Sequence, residues 1–232
     1  MSPTDRLAIA HALGENLVLM HQLTWPVPGH YDVTVDTIAP FPAGFTPWIT
    51  ADIRTWLAQA QRHSARTTAR DVAWVEALLR AARPALTEPL QPHFVMNDYK
   101  EQNTAVSRTD HGWHVTGVFD LMEGFFGDGE MDLVRPVAGY LEEDPQLAQA
   151  FLMAYVERMP VRPGFAERFA VYMLRDRLII WEYVQRQDLA RIQPAPRRLR
   201  TPWDTDITLQ DWVEPYLREA RILTTHVGRL PF

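Results

Sequence analysis

The feature that most constrains the fold is a single change in hydrophobic period, confined to residues 91–120. Elsewhere, apolar residues recur every three or four positions, as on one face of a helix, over residues 7–20, 49–60, 72–82, 147–155, 165–173 and 209–217. Between Gln91 and Asp120 they instead form short β-prone runs, HFVM, TAV and WHVTGVF, separated by turn residues such as Asp110-His111-Gly112. The chain is therefore predicted to be mainly α (α+β), with a short central β-hairpin region and no alternating βα sheet.

The connections between these segments suggest a single domain. Ser2 and Pro3 are a typical N-cap and first helical residue, so the chain is predicted to open with a helix. Residues 24–46, rich in proline and glycine, are predicted to be a long loop that packs on the domain or acts as a lid, so that three helices precede any strand. The segment from Arg186 to Pro202 is predicted to be an exposed connection. Within this single domain we expect a helical part at residues 1–90, a central part at residues 91–133, and a second helical part at residues 134–232.

Composition excludes several classes of function. A formal net charge of -6 over 232 residues gives no basic surface for a phosphate backbone, so nucleic acid is not an expected partner. The absence of cysteine excludes disulfides, thiolate metal sites and a cysteine nucleophile, and fits a cytoplasmic location. No apolar run reaches the length of a membrane span, so we expect no membrane association. The eight histidines show no zinc-ligand spacing, and there is no G-x-S-x-G motif of a serine hydrolase.

Three polar residues in the central region form a pattern suited to phosphoryl transfer. That reaction needs an acidic residue to orient the acceptor hydroxyl, together with an amide oxygen and a carboxylate to hold Mg²⁺ against the nucleotide phosphates. Asp98 and Asn103 have the D-x-x-x-x-N spacing of a kinase catalytic loop, and Asp120 follows at the end of the predicted hairpin.

With these residues in place, the chain resembles the aminoglycoside phosphotransferase and choline kinase superfamily over nearly its whole length. That family's catalytic loop, H-G-D-x-x-x-x-N, corresponds to residues 96–103, and its I-D-W or I-D-F metal loop corresponds to the segment around Asp120. Its L-G-x-x-L-x-x-x-H helix matches Gly14, Leu17 and His21, and its G-D-P-x-x-D-L motif resembles residues 127–133. The resemblance implies a phosphotransferase that moves the γ-phosphate of ATP or GTP to a hydroxyl of a small molecule.

The resemblance also implies roles for single residues. Asp98 would be the catalytic base, and Asn103 and Asp120 would bind Mg²⁺. Lys100 stands where this family often has His and would touch the transferred phosphate; the alternative is a solvated surface lysine. Two departures from the family pattern are Met96-Asn97 in place of His-Gly and Gly129 in place of Pro.

The glycine-rich hairpin, strand lysine and helix glutamate that cradle ATP in such kinases have no candidates in the sequence. We therefore expect a protein-kinase-like C-terminal lobe with the N-terminal lobe absent. Its uncovered face, around the first helix and the Asp120 loop, is expected to be apolar and covered by a homodimer partner or another chain. The rival function is a truncated, non-catalytic kinase-fold binding module. A metal-dependent phosphoesterase, a third hypothesis, would need more metal ligands.

Several residues in this region have competing interpretations. Asp132 is expected to cap a helix, and Asp128 is either a turn former or a support for the site. The segment from Gly124 to Gly129 is expected to be a turn, because it lacks the order of a phosphate-binding loop. The exposed acidic residues expected near the metal loop, Glu123, Asp128 and Glu130, would suit a cationic acceptor. Trp25 and Trp48 either belong to the core or line an acceptor pocket.

Overall fold

This computed structural model describes residues 1–187 and 198–227, which contain seven α-helices, six β-strands and two short 3-10 helices. In chain order the α-helices and strands are α1 (Pro3–Met20), β1 (Gly29–Asp32), β2 (Thr37–Pro40), α2 (Phe45–His63), α3 (Ala69–Leu86), β3 (His93–Val95), β4 (Thr104–Thr109), β5 (Gly112–Val118), β6 (Phe125–Gly127), α4 (Val134–Glu143), α5 (Pro145–Val156), α6 (Phe165–Arg186) and α7 (Leu209–Val227). The predicted mainly α architecture with short central strands is confirmed.

Helix α1 begins where Ser2 and Pro3 predict. The Ser2 hydroxyl accepts a hydrogen bond from the Asp5 amide, and the Asp5 carboxylate accepts one from the Ser2 amide, which forms a capping box. Thr68 and Asp71 form the same arrangement at the start of α3. Each box satisfies amide groups that the first helical turn leaves without a partner.

Residues 24–46 hold a β-hairpin, so the prediction of a long loop before any strand is wrong. β1 pairs antiparallel with β2, and a four-stranded antiparallel sheet runs in the order β2-β1-β6-β3. Phe125 to Gly127 form β6, so the turn predicted for residues 124–129 is also wrong at these positions. The strands are only three or four residues long, too short for a period-2 pattern to be recognised.

The predicted central hairpin is confirmed as β4 and β5. The two strands pair antiparallel with a bulge between Ala105 and Val106, and the turn at Asp110-His111-Gly112 closes them. Gly112 has a φ of 106°, which a residue with a Cβ rarely adopts. The hairpin thereby returns the chain from Asn103 to the Asp120 segment.

The core forms where α6 crosses the other helices. Trp181 on α6 stacks on Trp212 of α7, and both are fully buried. Helix α1 packs on α5 at Gly14, where an added Cβ would lie 2.3 Å from the carbonyl oxygen of Phe151. The glycine permits this close helix contact.

The connection predicted between Arg186 and Pro202 lies partly outside the described residues, which omit 188–197. Its described end rests on the domain: the Arg198 amide donates to the Glu142 carbonyl. Among the helices of the described part, none is both long and apolar enough to cross a bilayer.

Exposed apolar side chains lie on α1 and the residues after it, and on the loop around Asp120. The first group is Leu19, Leu23, Trp25, Val27, Tyr31, Val33 and Val35, and the second is Phe119, Leu121 and Met122. Apolar exposure is predicted around α1 and the Asp120 loop; in the first group only Leu19 lies on α1 itself, and the second group lies on the Asp120 loop. That a homodimer partner or another chain covers them stays a prediction.

Candidate active site

The loop that carries Asp98 is held by the buried carboxylate of Asp132. Asp132 Oδ2 accepts a hydrogen bond from the Met96 amide at 2.6 Å, and Oδ1 accepts one from the Asn97 amide at 2.7 Å. The prediction that Asp132 caps a helix is therefore wrong, because both of its oxygens bind backbone N–H groups of this loop. Hydrogen bonds from backbone amides to a buried carboxylate are strong ones. They fix the backbone one residue before Asp98.

His21 packs beneath the same carboxylate. Its ring is fully buried, with Nδ1 2.8 Å from the Tyr155 hydroxyl and Nε2 3.4 Å from Asp132 Oδ2. A Cβ added at Gly129 would lie 2.9 Å from His21 Nδ1, so the glycine leaves room for the imidazole. The residues matched to two separate family motifs thus meet in one place, under the Asp98 loop.

Three side chains surround the Asp98 carboxylate. Lys100 Nζ lies 2.5 Å from Oδ2, and Asn103 Nδ2 donates to Oδ2 at 3.0 Å and to the Asp98 carbonyl at 2.9 Å. Arg135 Nη2 lies 3.0 Å from Oδ1. This contact is an ion pair, and the buried Oδ1 has no hydrogen bond within the described part of the chain. Oδ2 of Asp98 therefore binds Lys100 and Asn103, whereas Oδ1 faces Arg135.

Lys100 and Arg135 place two positive charges beside Asp98. The Lys100 side chain is 28% exposed and binds Asp98, which favours the interpretation as a site residue over a solvated lysine. Arg135, at the start of α4, also binds Asp176 Oδ1 through Nη1 at 2.9 Å. The arginine therefore bridges two carboxylates and has little freedom to turn away.

Asn103 and Asp120 are brought to the same end of the β4–β5 hairpin. The Phe119 amide donates to the Asn103 carbonyl at 2.9 Å, so the residue before Asp120 pairs with Asn103. Asp120 is exposed and has a φ of 63°, in the left-handed region that aspartate tolerates better than most residues. The hairpin thus positions both predicted metal ligands by backbone pairing.

The donor groups present fit a Mg²⁺ ion shared with a nucleotide. The Asn103 side-chain amide faces the Asp98 carbonyl oxygen and Asp98 Oδ2, which are both acceptors. The Asn103 nitrogen must therefore point to them, and Asn103 Oδ1 must point away. An amide oxygen and an exposed carboxylate are oxygen ligands of the kind Mg²⁺ takes, with phosphates and water completing its shell. Within the described ranges, no cluster of three or more histidines and acidic residues could hold a metal by itself.

Asp128 and Glu130 do not form the acidic surface expected for a cationic acceptor. Both are buried: Arg162 and the Tyr172 hydroxyl bind Asp128, and Arg168 binds Glu130 in a bidentate pair at 2.7 and 2.8 Å. The pKa of Glu130 is raised overall, because burial and the neighbouring Asp128 outweigh the opposing effect of Arg168. Asp128 also caps the short 3-10 turn that leads to Asp132 by accepting from the Glu130 amide. These acids support the fold beneath the site, and their charges are already compensated.

A cavity of about 220 Å³ opens beside Lys100 and Arg135. The residues around it include Glu101, Tyr140, Glu142, Trp203 and Trp212. The Trp203 Nε1 atom is buried and has no hydrogen-bond partner in the part of the chain that the structure describes. A buried donor without a partner is costly, so a ligand that accepts from it would gain affinity.

Trp25 and Trp48 do not line this cavity. Trp48 stacks on Phe41 at 4.3 Å between ring centroids and contacts Phe125, whereas Trp25 contacts Phe126. Trp48 therefore belongs to the aromatic packing of the sheet, and the acceptor-pocket interpretation has no support here.

Sequence reasoning missed Arg135, Arg175 and Asp176. Arg175 on α6 donates from Nη1 to Asn97 Oδ1 at 2.8 Å, next to Asp98. The run Arg175-Asp176-Arg177 could have pointed to these residues, because three consecutive charged residues interrupt an apolar helical stripe. All three are buried in the structure. Charges in such a position are expected to be paired, and often serve a site.

Comparison with known protein families gives a match over most of the chain. Residues 1–168 match the family model APH, described as a phosphotransferase enzyme family. No match was found among curated proteins.

Solved structures share the fold. A structure described as a fructosamine-3-kinase from Thermobifida fusca YX-ER1 aligns with a TM-score of 0.59 at 20% identity, covering 95% of this chain and 66% of its own. A thermostable mutant of aminoglycoside phosphotransferase APH(4)-Ia, in a ternary complex with ADP and hygromycin B, aligns with a TM-score of 0.59 at 16% identity, covering 100% of this chain and 68% of its own. A second APH(4)-Ia mutant, with AMP-PNP and hygromycin B, aligns at 0.58 and 15% identity, with the same coverage. The chain spans about two thirds of the length of these structures.

Proposed function

The chain belongs to the APH phosphotransferase enzyme family, and from that premise we propose that it supplies the catalytic and metal loops of a kinase that phosphorylates a hydroxyl of a small molecule. The observation that carries the proposal is the arrangement around Asp98. Its carboxylate faces Asn103 across the D-x-x-x-x-N loop, and the hairpin returns Asp120 beside Asn103.

Asp98 is the proposed catalytic base. Its Oδ2, which now binds Lys100 and Asn103, is the proposed acceptor of a hydrogen bond from the attacking hydroxyl. Because Lys100 and Arg135 now occupy the two sides of the carboxylate, an acceptor must displace one of them to reach it. Lys100 is the proposed one: its flexible side chain can move from Asp98 to the transferred phosphate, whereas Asp176 holds Arg135.

Asn103 Oδ1 and the Asp120 carboxylate are the proposed ligands of Mg²⁺. When bound, the ion would neutralise charge on the nucleotide phosphates. Backbone pairing brings the two residues to one end of the hairpin, and the Asn103 amide nitrogen also donates to Asp98. Asn103 thus links the proposed metal ligands to the proposed base.

The cavity beside Lys100 is the proposed acceptor site. Glu142 accepts from the Tyr216 hydroxyl and Arg177, so its charge is compensated. Trp203 lines the cavity, and its buried N–H has no hydrogen-bond partner among the described residues. This lining favours a polyhydroxylated acceptor, which can accept a hydrogen bond and stack on an aromatic ring, over one recognised by positive charge alone.

ATP or GTP is the proposed donor, and the described part of the chain is the proposed C-terminal lobe. Two of the similar structures are complexes of APH(4)-Ia with ADP and AMP-PNP, which supports an adenine nucleotide as the first to test. The proposed lobe assignment rests on the two loops and on a length about two thirds that of these structures.

Phosphate transfer from Mg-ATP to a panel of sugars, aminoglycosides and amino alcohols tests the function. We expect product with the wild-type chain at millimolar Mg-ATP, because the proposed C-terminal lobe has no candidates for ATP-cradling residues in its sequence and should bind the nucleotide weakly. Asn103→Ala and Asp120→Ala should lower the rate by about a hundredfold or more, because the metal supplies several kcal/mol of transition-state stabilisation. Asp110→Ala, in the exposed hairpin turn, is the matched control and should retain the rate. Acceptor binding without transfer in the wild type would instead favour the non-catalytic binding module.

A further inference from the structure

Asn97, the residue directly before Asp98, has a φ of 68°. Glycine adopts this left-handed region most easily, and asparagine is among the few other residues that tolerate it. In the family that this sequence resembles, glycine occupies the position. The asparagine gives the turn a side chain, and that side chain is used: its Oδ1 accepts from Arg175 Nη1 at 2.8 Å.

Arg175 is itself held in place. Its side chain is 9% exposed, its Nε donates to Asp52 Oδ2 on α2 at 2.6 Å, and its guanidinium lies 5.7 Å from the ring centroid of Trp48. A guanidinium fixed by a carboxylate and an aromatic ring is a rigid donor. Asn97 therefore binds to a fixed point formed by α2 and α6.

The turn before Asp98 is held in two independent ways. Asp132 accepts from the backbone amides of Met96 and Asn97, and Arg175 binds the Asn97 side chain from another direction. The two Asp132 bonds end at the Asn97 amide, whereas the side-chain anchor restrains the left-handed residue itself, beside the peptide that leads to Asp98. The anchor therefore acts on the orientation of Asp98.

We propose that Arg175 is a positioning residue that holds the Asp98 carboxylate in its reactive orientation through the side chain of Asn97. The inference rests on the proposed function of Asp98. It predicts that Asn97→Gly, although glycine suits the backbone better, loosens the loop and slows phosphate transfer. A merely structural asparagine would predict the reverse, since glycine removes backbone strain at this φ.

Four variants of the full chain test this: Asn97→Gly, Asn97→Asp, Arg175→Met and the double variant Asn97→Gly/Arg175→Met. Amide hydrogen exchange of residues 96–99 measures loop opening, and kcat and KM measure transfer. We expect Asn97→Gly to raise exchange and lower kcat by about tenfold or more, since small displacements of a catalytic group are costly, with little change in KM. Asn97→Asp keeps an acceptor oxygen for Arg175 and should retain the protection. The double variant should exchange no faster than Arg175→Met alone.

Wild-type exchange and kcat in Asn97→Gly would overturn the proposal, as would additive effects in the double variant. If Arg175→Met does not fold, the comparison of Asn97→Gly with Asn97→Asp still decides, because neither variant alters the buried arginine. If the wild type transfers no phosphate, the proposed function fails. The exchange data then decide separately whether Arg175 holds the loop.

Discussion

Arg135 can face Asp98 because a second carboxylate holds it from behind. Asp176 Oδ1 accepts from Arg135 at 2.9 Å, and its Oδ2 accepts from Arg177 at 2.6 and 2.9 Å. Burial acts to raise the pKa of Asp176, but the charges and hydrogen bonds of Arg177 and Arg135 outweigh it and lower the pKa from 3.8 to about 2. The buried acid stays ionised and orients the arginine beside Asp98.

The depressed pKa of Asp176 predicts an acid-dependent contribution to stability. A carboxyl whose pKa is lower in the folded state stabilises the fold above its unfolded pKa, and the effect is lost as pH falls through the folded value. Asp176→Asn should therefore lower the free energy of unfolding by about 2 kcal/mol or more at pH 7. The difference from wild type should shrink below about pH 4. Denaturant unfolding across pH measures this, with Asp110→Asn as the exposed control. A difference independent of pH down to about 2 would contradict the account.

At the scale of residues, spacing along the chain predicted the contacts within the Asp98 loop but not the contact with a distant helix. Asn103 and Lys100 lie within one loop of Asp98, so the local pattern predicted a shared site, and the structure places both on its carboxylate. The Arg175 contact with Asn97 joins residues 78 positions apart. Such a contact depends on how α6 crosses the loop, which no local period encodes. That Asp98 is the base and that Asn103 and Asp120 bind metal stay predictions.

At the scale of elements, the packing of α1 on α5 decides where the site can form. Gly14 lets the two helices approach closely, and this brings His21, at the end of α1, against Tyr155 on α5 and under Asp132. The helical periods predicted these helices well, because each buries one apolar stripe. The same reasoning missed β1 and β2, since short strands between prolines and glycines resemble a loop in sequence.

The α1–α5 contact gives a prediction with a built-in control. Gly14→Ala would place a Cβ 2.3 Å from the Phe151 carbonyl oxygen, so the helices must separate. We expect a loss of about 1–3 kcal/mol in the free energy of unfolding, as for other overpacked sites. Gly139→Ala, on α4, meets nothing within 4 Å and should stabilise the chain by about 0.5–1 kcal/mol, because alanine favours a helix. Equal effects at both positions would show that Gly14 is not a packing contact.

At the scale of the whole molecule, a helical scaffold carries one loop whose Asp98 is the proposed base. The mainly α fold and its central hairpin followed from hydrophobic period, and the family followed from the order of short motifs. Neither source identified the proposed acceptor site, because the cavity beside Lys100 is assembled from residues 100–102, α4, α6, α7 and the segment before α7. Such a cavity exists only in the folded chain.

The most direct test of the account is the turnover of Asp98→Asn with Mg-ATP and an accepted substrate. Asparagine keeps the size of the side chain and an oxygen for Lys100 and Asn103, but it cannot take a proton from the acceptor hydroxyl. We expect kcat to fall by about 10²- to 10⁴-fold while the unfolding transition stays cooperative. Asp110→Asn, in the exposed hairpin turn, should keep the wild-type kcat. A folded Asp98→Asn variant with near wild-type kcat would contradict the role of Asp98 as the base.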